Sequence, residues 1–398
     1  MECSELRELI ETKLGPERCV RRGDRLFLID PAWGPSERSQ AETLMNAPDE
    51  RSGAVSAPGR TRSGVGWLMI PSGGTSGKLK FARHDGPTLA AAVAGYCAHF
   101  NVSRVCSVGV LPLHHVGGLM AWLRTVLTGG SYLDWEWKRL EAGHFPPRPI
   151  AAKFWTVSLV PTQLQRLVAS PTATAALRGF DAVFVGGGPC WPALLETAAA
   201  AKLPLSLGYG MTETAAMATA LRPAEFFAGD RSSGAPLPQV RLDLTAEGTV
   251  RIQGESLYRG YYPAWDDSRT VVTEDLASFD FAGRIRLLGR RDDVIISGGR
   301  KVDPSEVETV LRMAGLFSDV AVLGVPDPEW GQQVTAFFPA SEPAPEPFAL
   351  ERALSDLAAY KRPRRYVAVA DWPRNAQGKL VRSRLLEEGG ARPPGARG

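Results

Sequence analysis

The sequence predicts an α/β protein. A large N-terminal domain carries a parallel αβα sheet and a small β-barrel-like subdomain, and a small mobile C-terminal α+β domain follows. Three observations predict it. Apolar runs of strand length alternate with helical patterns between residues 67 and 201, as in a parallel sheet covered on both faces. After about Gly234 the pattern changes to short strands and turns. Further on, two apolar stretches, 285–288 and 294–296, flank the charged residues Arg290, Arg291, Asp292 and Asp293. Such a cluster makes a poor core and a good pivot. The expected units are 1–290 as the body, 291–388 as a lid and 389–398 as a disordered tail of Gly, Ala, Pro and Arg.

Taken in order, residues 4–13 read as an amphipathic helix and the Gly/Pro/Ser-rich stretch 47–64 as a surface loop. Residues 66–70 are strand-like, 88–100 an Ala-rich helix, 105–111 a strand and 119–127 a helix. A strand at 157–160 precedes a helix at 161–168 with Pro161 in its first position. The strand 182–185 runs into Gly186, Gly187, Gly188 and Pro189 and a helix at 192–201, and 203–207 is a further apolar strand. Short strands at 239–244, 249–253 and 285–288 make the subdomain. From residue 291 to about 384 the order is strand, helix, strand, strand, helix, strand. The first of these helices has Asp303 as cap, Pro304 at its first position, Glu306 to complete a capping box, and Val302 with Val307 as a hydrophobic staple.

Composition narrows the function. The 398 residues are 44% hydrophobic, and 46 basic against 43 acidic residues leave a net charge of +3. That supports a sizeable core under a nearly balanced surface. No basic block is interleaved with aromatics, which argues against nucleic acid. No apolar run reaches the roughly 18 residues of a membrane span, and the acidic first residues lack the apolar region of a signal peptide. The five cysteines, Cys3, Cys19, Cys97, Cys106 and Cys190, match no C-x-x-C or zinc spacing and read as reduced thiols in a cytoplasm. Oligomeric state is not legible, and a homodimer stands as one open expectation.

Two glycine-rich turns carry the chemistry. The strand at 66–70 leads into Pro71, Ser72, Gly73, Gly74, Thr75, Ser76, Gly77, Lys78, Leu79 and Lys80. The glycines let backbone N–H groups turn toward a polyanion, the hydroxyls add donors and the lysines add charge. It is not a P-loop: the glycine spacing is one residue short, and Leu79 stands where a hydroxyl for Mg²⁺ belongs. The second turn is Gly208, Tyr209, Gly210, Met211, Thr212, Glu213 and Thr214. The flanking glycines would let the Tyr209 ring lie flat against a base, Thr212 can donate to a phosphate, and Glu213 can hold the Mg²⁺ that accompanies ATP. Gly186, Gly187, Gly188 and Pro189 offer a third, bare backbone edge. Each turn alone reads equally well as an ordinary strand end.

Together these segments resemble the adenylate-forming superfamily of acyl-CoA synthetases, luciferases and peptide-synthetase adenylation domains. Residues 72–80 resemble its phosphate loop and 208–214 its Tyr-Gly-x-Thr-Glu segment. Thr273, Glu274 and Asp275 resemble the segment whose Asp binds the ribose hydroxyls. Gly289 and Arg290 resemble the second ribose contact, Asp292 the hinge, and residues 373–379 the loop of the catalytic lysine, Lys379. The resemblance covers nearly all of the chain from residue 67. Leu79 and Glu274 depart from the usual Pro and Gly, and the part before the phosphate loop is pared down. That brevity, with residues 111–118 and 157–164, looks most like a compact 2-succinylbenzoate–CoA ligase of menaquinone and phylloquinone synthesis.

The resemblance implies a two-step reaction. A carboxylate attacks the α-phosphorus of MgATP, and the thiol of coenzyme A then displaces AMP from the acyl-adenylate. It implies Lys379 as the charge bridging carboxylate and α-phosphate, His115 in the acid pocket, and Gly299 beside the pantetheine in the thioester-forming state. His114 is expected to pack behind it, and Ser158, Thr162 and Gln163 are further pocket candidates. Two rivals remain: the same chemistry on another aryl or acyl acid, including a stand-alone adenylation enzyme, and a non-catalytic nucleotide-binding regulator. The helical stretch after His115 carries Arg124 and no Asp to hold an amino group, which argues against amino acids.

Overall fold

The computed structural model describes residues 2–50, 65–73, 79–147, 154–374 and 380–388. Its centre is five parallel strands in the order Tyr132–Asp134, Cys106–Gly109, Trp155–Leu159, Ala182–Val185 and Leu205–Tyr209. Thr219–Ala220 and Ala235–Pro236 extend it antiparallel. Alternation along a strand sends side chains to opposite faces. Val183 and Val185 therefore join a core with helices Pro161–Val168, Pro171–Leu177 and Pro192–Ala200, while Ala182 and Phe184 meet Tyr96 of helix Gly86–Phe100. Both faces are covered, as continuous apolar runs require.

A second, five-stranded sheet orders Cys19–Arg22, Arg25–Leu28, Leu68–Gly73, Leu79–His84 and Tyr261–Tyr262. Four of its strands, Cys19–Arg22, Arg25–Leu28, Leu79–His84 and Tyr261–Tyr262, are additions to the sequence reading. The phosphate loop is the tip of its central hairpin, with Gly73 opposite Leu79. That strand–loop–strand setting differs from the strand–loop–helix of a P-loop. Residues 74–78, and most of the expected surface loop, lie outside the described residues.

The β subdomain is a four-stranded antiparallel meander, Val240–Leu244, Thr249–Gly254, Thr270–Phe279 and Ile285–Arg290. After the charged joint comes a separate sheet of Arg300–Val302, Ile295–Ser297, Gly331–Pro339 and Ala321–Asp327. Arg365–Val369 pairs parallel to Gly331–Pro339. Helix Pro304–Met313 packs on this sheet with Val302 and Val307 fully buried, as the staple requires. Its cap is Asp303, which accepts from the Ser305 N–H at 2.9 Å. Glu306 does not close the expected capping box. Its carboxylate instead takes the Lys361 ammonium at 2.6 and 2.7 Å, a charge-assisted contact stronger than a reach back to one neutral N–H. The expected tail at 389–398 lies outside the described residues, among which no helix is long and apolar enough to cross a membrane.

Candidate active site

The carboxyl ends of the parallel strands carry His115, Gly186, Gly187, Gly188 and Pro189, and the stretch from Gly208 to Thr214, so the topology gathers these candidates on one rim. Ligands of open α/β sheets collect along such a rim. The three glycines stand at the half-open to exposed end of Ala182–Val185, and Gly187 has φ +79°. Beyond Leu205–Tyr209 the chain makes a single 3-10 turn, Thr212–Thr214. A Cβ on Gly210 would sit 1.7 Å from the Ala216 carbonyl oxygen, so glycine is needed there for close backbone approach. Ala215 and Ala216 both have positive φ, 52° and 80°, which stores backbone strain beside Glu213.

Glu213 is the centre of one cluster. It is 5% exposed, and its Oε1 accepts from the Ser72 hydroxyl at 2.9 Å and the Tyr261 hydroxyl at 2.5 Å. Lys80 lies over the Tyr261 ring, 4.8 Å from its centroid. Burial, then the Glu213 charge, raises the Tyr261 phenol, which therefore stays a donor. Among the described residues no Lys or Arg reaches Glu213 at ion-pair distance. A buried carboxylate without a cation is expensive unless an ion completes it, and an all-oxygen setting on a single carboxylate suits Mg²⁺. Thr212 sits half-buried on the same turn, and its hydroxyl makes no hydrogen bond among the described residues.

Residue Asp275 anchors the second cluster. It stands in the strand Thr270–Phe279 directly opposite Arg290, whose Nη1 donates to its Oδ1 at 3.0 Å. The other edge of the Arg290 guanidinium grips Asp292 at 2.8 and 2.7 Å. Arg291 makes a matching fork to Glu274 at 2.7 and 2.8 Å. Burial would lower the Arg290 value, but the carboxylates of Asp292 and Asp275 raise it. Tyr209 differs from expectation. Its ring is 7% exposed, and its hydroxyl donates to Asp275 Oδ2 at 2.7 Å. Little of the ring is open for stacking, and the residue's contribution is to fix Asp275. Met211 lies half-buried and packs on the same core.

Three features escaped the sequence reading. His84 is fully buried, and its Nε2 lies 2.8 Å from the Thr212 carbonyl oxygen, tying the phosphate-loop hairpin to the Thr-Glu turn. Asp85 caps helix Gly86–Phe100 by accepting from Thr88 N–H at 3.0 Å, and also accepts from the Arg259 Nε at 2.9 Å. Asp30 meets the two histidines, with Oδ1 3.3 Å from His114 Nε2 and Oδ2 3.6 Å from His115 Nε2. The Asp85 cap to Thr88 is a local signal, but no local spacing announces the long-range contacts to Thr212, Arg259 and the two histidines. Gln163 is a correction of a different kind: its Oε1 accepts from the Val160 N–H at 3.0 Å, so it closes a helix start and its amide oxygen is spent there.

Burial holds His84 below its ordinary 6.5, against the bond to Thr212 and the charges of Asp85 and Glu213. For His115, burial and then His114, opposed by Asp30, bring the value to about 3. Both rings are neutral at physiological pH. Because the folded values are depressed, the unfolded chain takes up these protons first as pH falls below about 6.5. Stability present above that pH is lost on acidification, at up to about 1.4 kcal/mol per pH unit for each group. His84→Gln is expected to flatten the fall in the urea midpoint between roughly pH 6.5 and 5. An unchanged slope would mean His84 is not part of it. Burial pushes the Cys190 thiol up to about 12, and the described residues contain no disulfide.

Lys379 and loop residues Gly74, Thr75, Ser76, Gly77 and Lys78 lie outside the described residues. Gly299 forms a hairpin turn with Gly298, at φ +74° and +55°, so both need glycine for conformation.

Residues 35–262 match the AMP-binding enzyme family, and 306–379 match the AMP-binding enzyme C-terminal domain. The chain belongs to the AMP-binding enzyme family. It is 33% identical over 69% of its length to a 2-succinylbenzoate–CoA ligase of Oceanobacillus iheyensis, and 31% identical over 72% to one of Listeria monocytogenes. The matches span 60% and 61% of those relatives' own lengths. The fold is that of the o-succinylbenzoate CoA synthetase of Bacillus subtilis, solved with an acyl-adenylate (TM-score 0.73, 22% identity, 90% of this chain and 82% of that one). ATP-bound MatB of Rhodopseudomonas palustris is also similar, with TM-score 0.68 and 26% identity over 85% of this chain and 71% of that one. For an AMP-binding enzyme, the division into a large body and a smaller C-terminal unit is the shared architecture.

Proposed function

We propose that the chain is an ATP-dependent acid–CoA ligase working through an acyl-adenylate, with 2-succinylbenzoate as its acid. One observation supports this most. The short stretch from Tyr209 to Glu213 builds two different polar clusters, one around Asp275 and one around Glu213. The first suits the two hydroxyls of a ribose: Asp275 accepts, and Arg290 donates from the facing strand. The second suits the phosphates, with Ser72 and Lys80 on the adjoining hairpin. Glu213 would hold Mg²⁺, which when bound neutralises and orients the phosphates. The named relatives favour 2-succinylbenzoate over other acids.

In the proposed mechanism the body positions and the lid completes. Thr212 and the loop 72–80 hold the polyphosphate while the substrate carboxylate attacks the α-phosphorus and pyrophosphate leaves. Neutral His115 offers the acid a hydrogen bond without fixing a charge in the pocket. Lys379 bridges the reacting oxygens as charge moves between them. The CoA thiol then attacks the acyl carbon and AMP leaves, with Gly299 lining its approach. Residues 1–290 act as body and 291–388 as lid, turning about Asp292. The cytoplasm as location and a homodimer as assembly belong to the same proposal, the latter checked by sedimentation.

A pyrophosphate-release assay over a panel of acids tests the reading. Release with 2-succinylbenzoate and ATP, absent with benzoate and amino acids, followed by thioester formation once CoA is added, is expected. Release only with a different acid would move the substrate. No release with any acid would favour the regulator. Asp292→Pro fixes φ at the joint and is expected to hold one half-reaction within about tenfold while lowering the other by more than about 10²-fold. Asp292→Ala, which removes the carboxylate and leaves φ free, separates the two effects. Equal losses in both halves of the proline variant would argue against a hinge.

A further inference from the structure

Between the turn after strand Arg25–Leu28 and the start of helix Val116–Leu127, the fold brings one carboxylate and two imidazoles together. Asp30, His114 and His115 each present a ligand atom, all within 4.8 Å of one another. Side-chain exposures are 7%, 6% and 13%. A second observation is independent of the clustering. All four ring nitrogens of His114 and His115 are buried and lack a hydrogen-bond partner among the described residues. The approaches to Asp30, at 3.3 and 3.6 Å, leave these nitrogens unsatisfied. Buried polar groups are nearly always satisfied, and a set of orphans demands an explanation.

From this geometry we infer that Asp30, His114 and His115 form a three-ligand site for a divalent transition ion of the zinc class. Around zinc, ligand atoms at about 2.0–2.2 Å from the ion stand roughly 3.3–3.6 Å from each other in a tetrahedron. The two carboxylate–imidazole separations are of that size, running from Oδ1 to His114 and from Oδ2 to His115, so the carboxylate spans both rings. Two imidazoles and a carboxylate are a donor set for zinc, cobalt or nickel rather than for Mg²⁺ or Ca²⁺, which prefer oxygen. Asp30 is also oriented from behind, since its Oδ1 accepts from the Ala32 N–H at 2.9 Å. That outer contact fixes a ligating carboxylate in place. Three protein ligands leave a fourth position for water or an oxygen ligand. The site is separate from the Glu213 cluster but shares His115 with the proposed acid pocket, so it is tested by metal binding itself and not by ligase activity.

The full-length protein, freed of metal with a chelator, would be titrated with cobalt(II) and followed by its visible d–d bands. One equivalent is expected to bind with the intense bands of a tetrahedral site and without thiolate charge-transfer absorption. Zinc is expected to displace it and to raise the melting temperature. Asp30→Asn and His115→Gln are each expected to weaken cobalt binding by about tenfold or more. The wild-type spectrum stands on its own even if a variant fails to fold. Absence of bound cobalt at micromolar free metal overturns the proposal. So does a thiolate-type spectrum, or binding unchanged in both folded variants.

Discussion

Lys379→Ala is expected to slow pyrophosphate release from MgATP and acid by about 10²–10³-fold, the usual cost of removing one group that stabilises developing transition-state charge. Thioester formation from supplied acyl-adenylate and CoA should fall by less than about tenfold, because that half no longer moves charge between carboxylate and phosphate. Single-turnover measurement of each half separates the two. Lys379→Arg should not restore the first half, since a planar fork does not replace a compact ammonium between two oxygens. Equal losses in both halves would assign the lysine to binding and remove it from the chemistry.

Arg259→Met should produce the largest loss of stability of any single charge deletion discussed, about 3 kcal/mol. Its partner Asp85 is fully buried and cannot regain water. The cost stays near the low end of the range for broken buried pairs because Asp85 also accepts from the Thr88 and Gly66 N–H groups. Urea unfolding followed by tryptophan fluorescence gives the value. The double variant Asp85→Asn with Arg259→Met should recover part of it, as removing both charges leaves none stranded. A single variant with an unchanged midpoint would show that the pair is idle.

The parallel strands were legible in the sequence because burial on both faces leaves an unbroken apolar run, as at Ala182–Val185. Leu79–His84 was not, since Lys80, Arg83 and His84 read as polar, yet Arg83 and His84 are fully buried. Arg83 is held there by Asp49 and the Tyr262 ring, far away along the chain. Thr270–Phe279 hid for a similar reason: Glu274 and Asp275 interrupt it, and both are matched by arginines near the facing strand. The hairpin of Cys19–Arg22 with Arg25–Leu28 did carry a signal, a Gly-Asp pair between the two strands with Gly23 at φ +61°. For the site, motif order identified which residues matter, but not their partners. The Ser72 and Tyr261 contacts to Glu213 join chain positions 141 and 48 residues apart, and only strand register brings them together.

Arg290 has one guanidinium and two employers. It steadies Asp275 with one nitrogen and clasps Asp292 with two others. On the proposed roles, a ribose that recruits any of those protons draws on the same side chain that straps the swivel shut. Nucleotide arrival and release of the cap are then wired through a single residue, and neither can be tuned by substitution at Arg290 without disturbing the other.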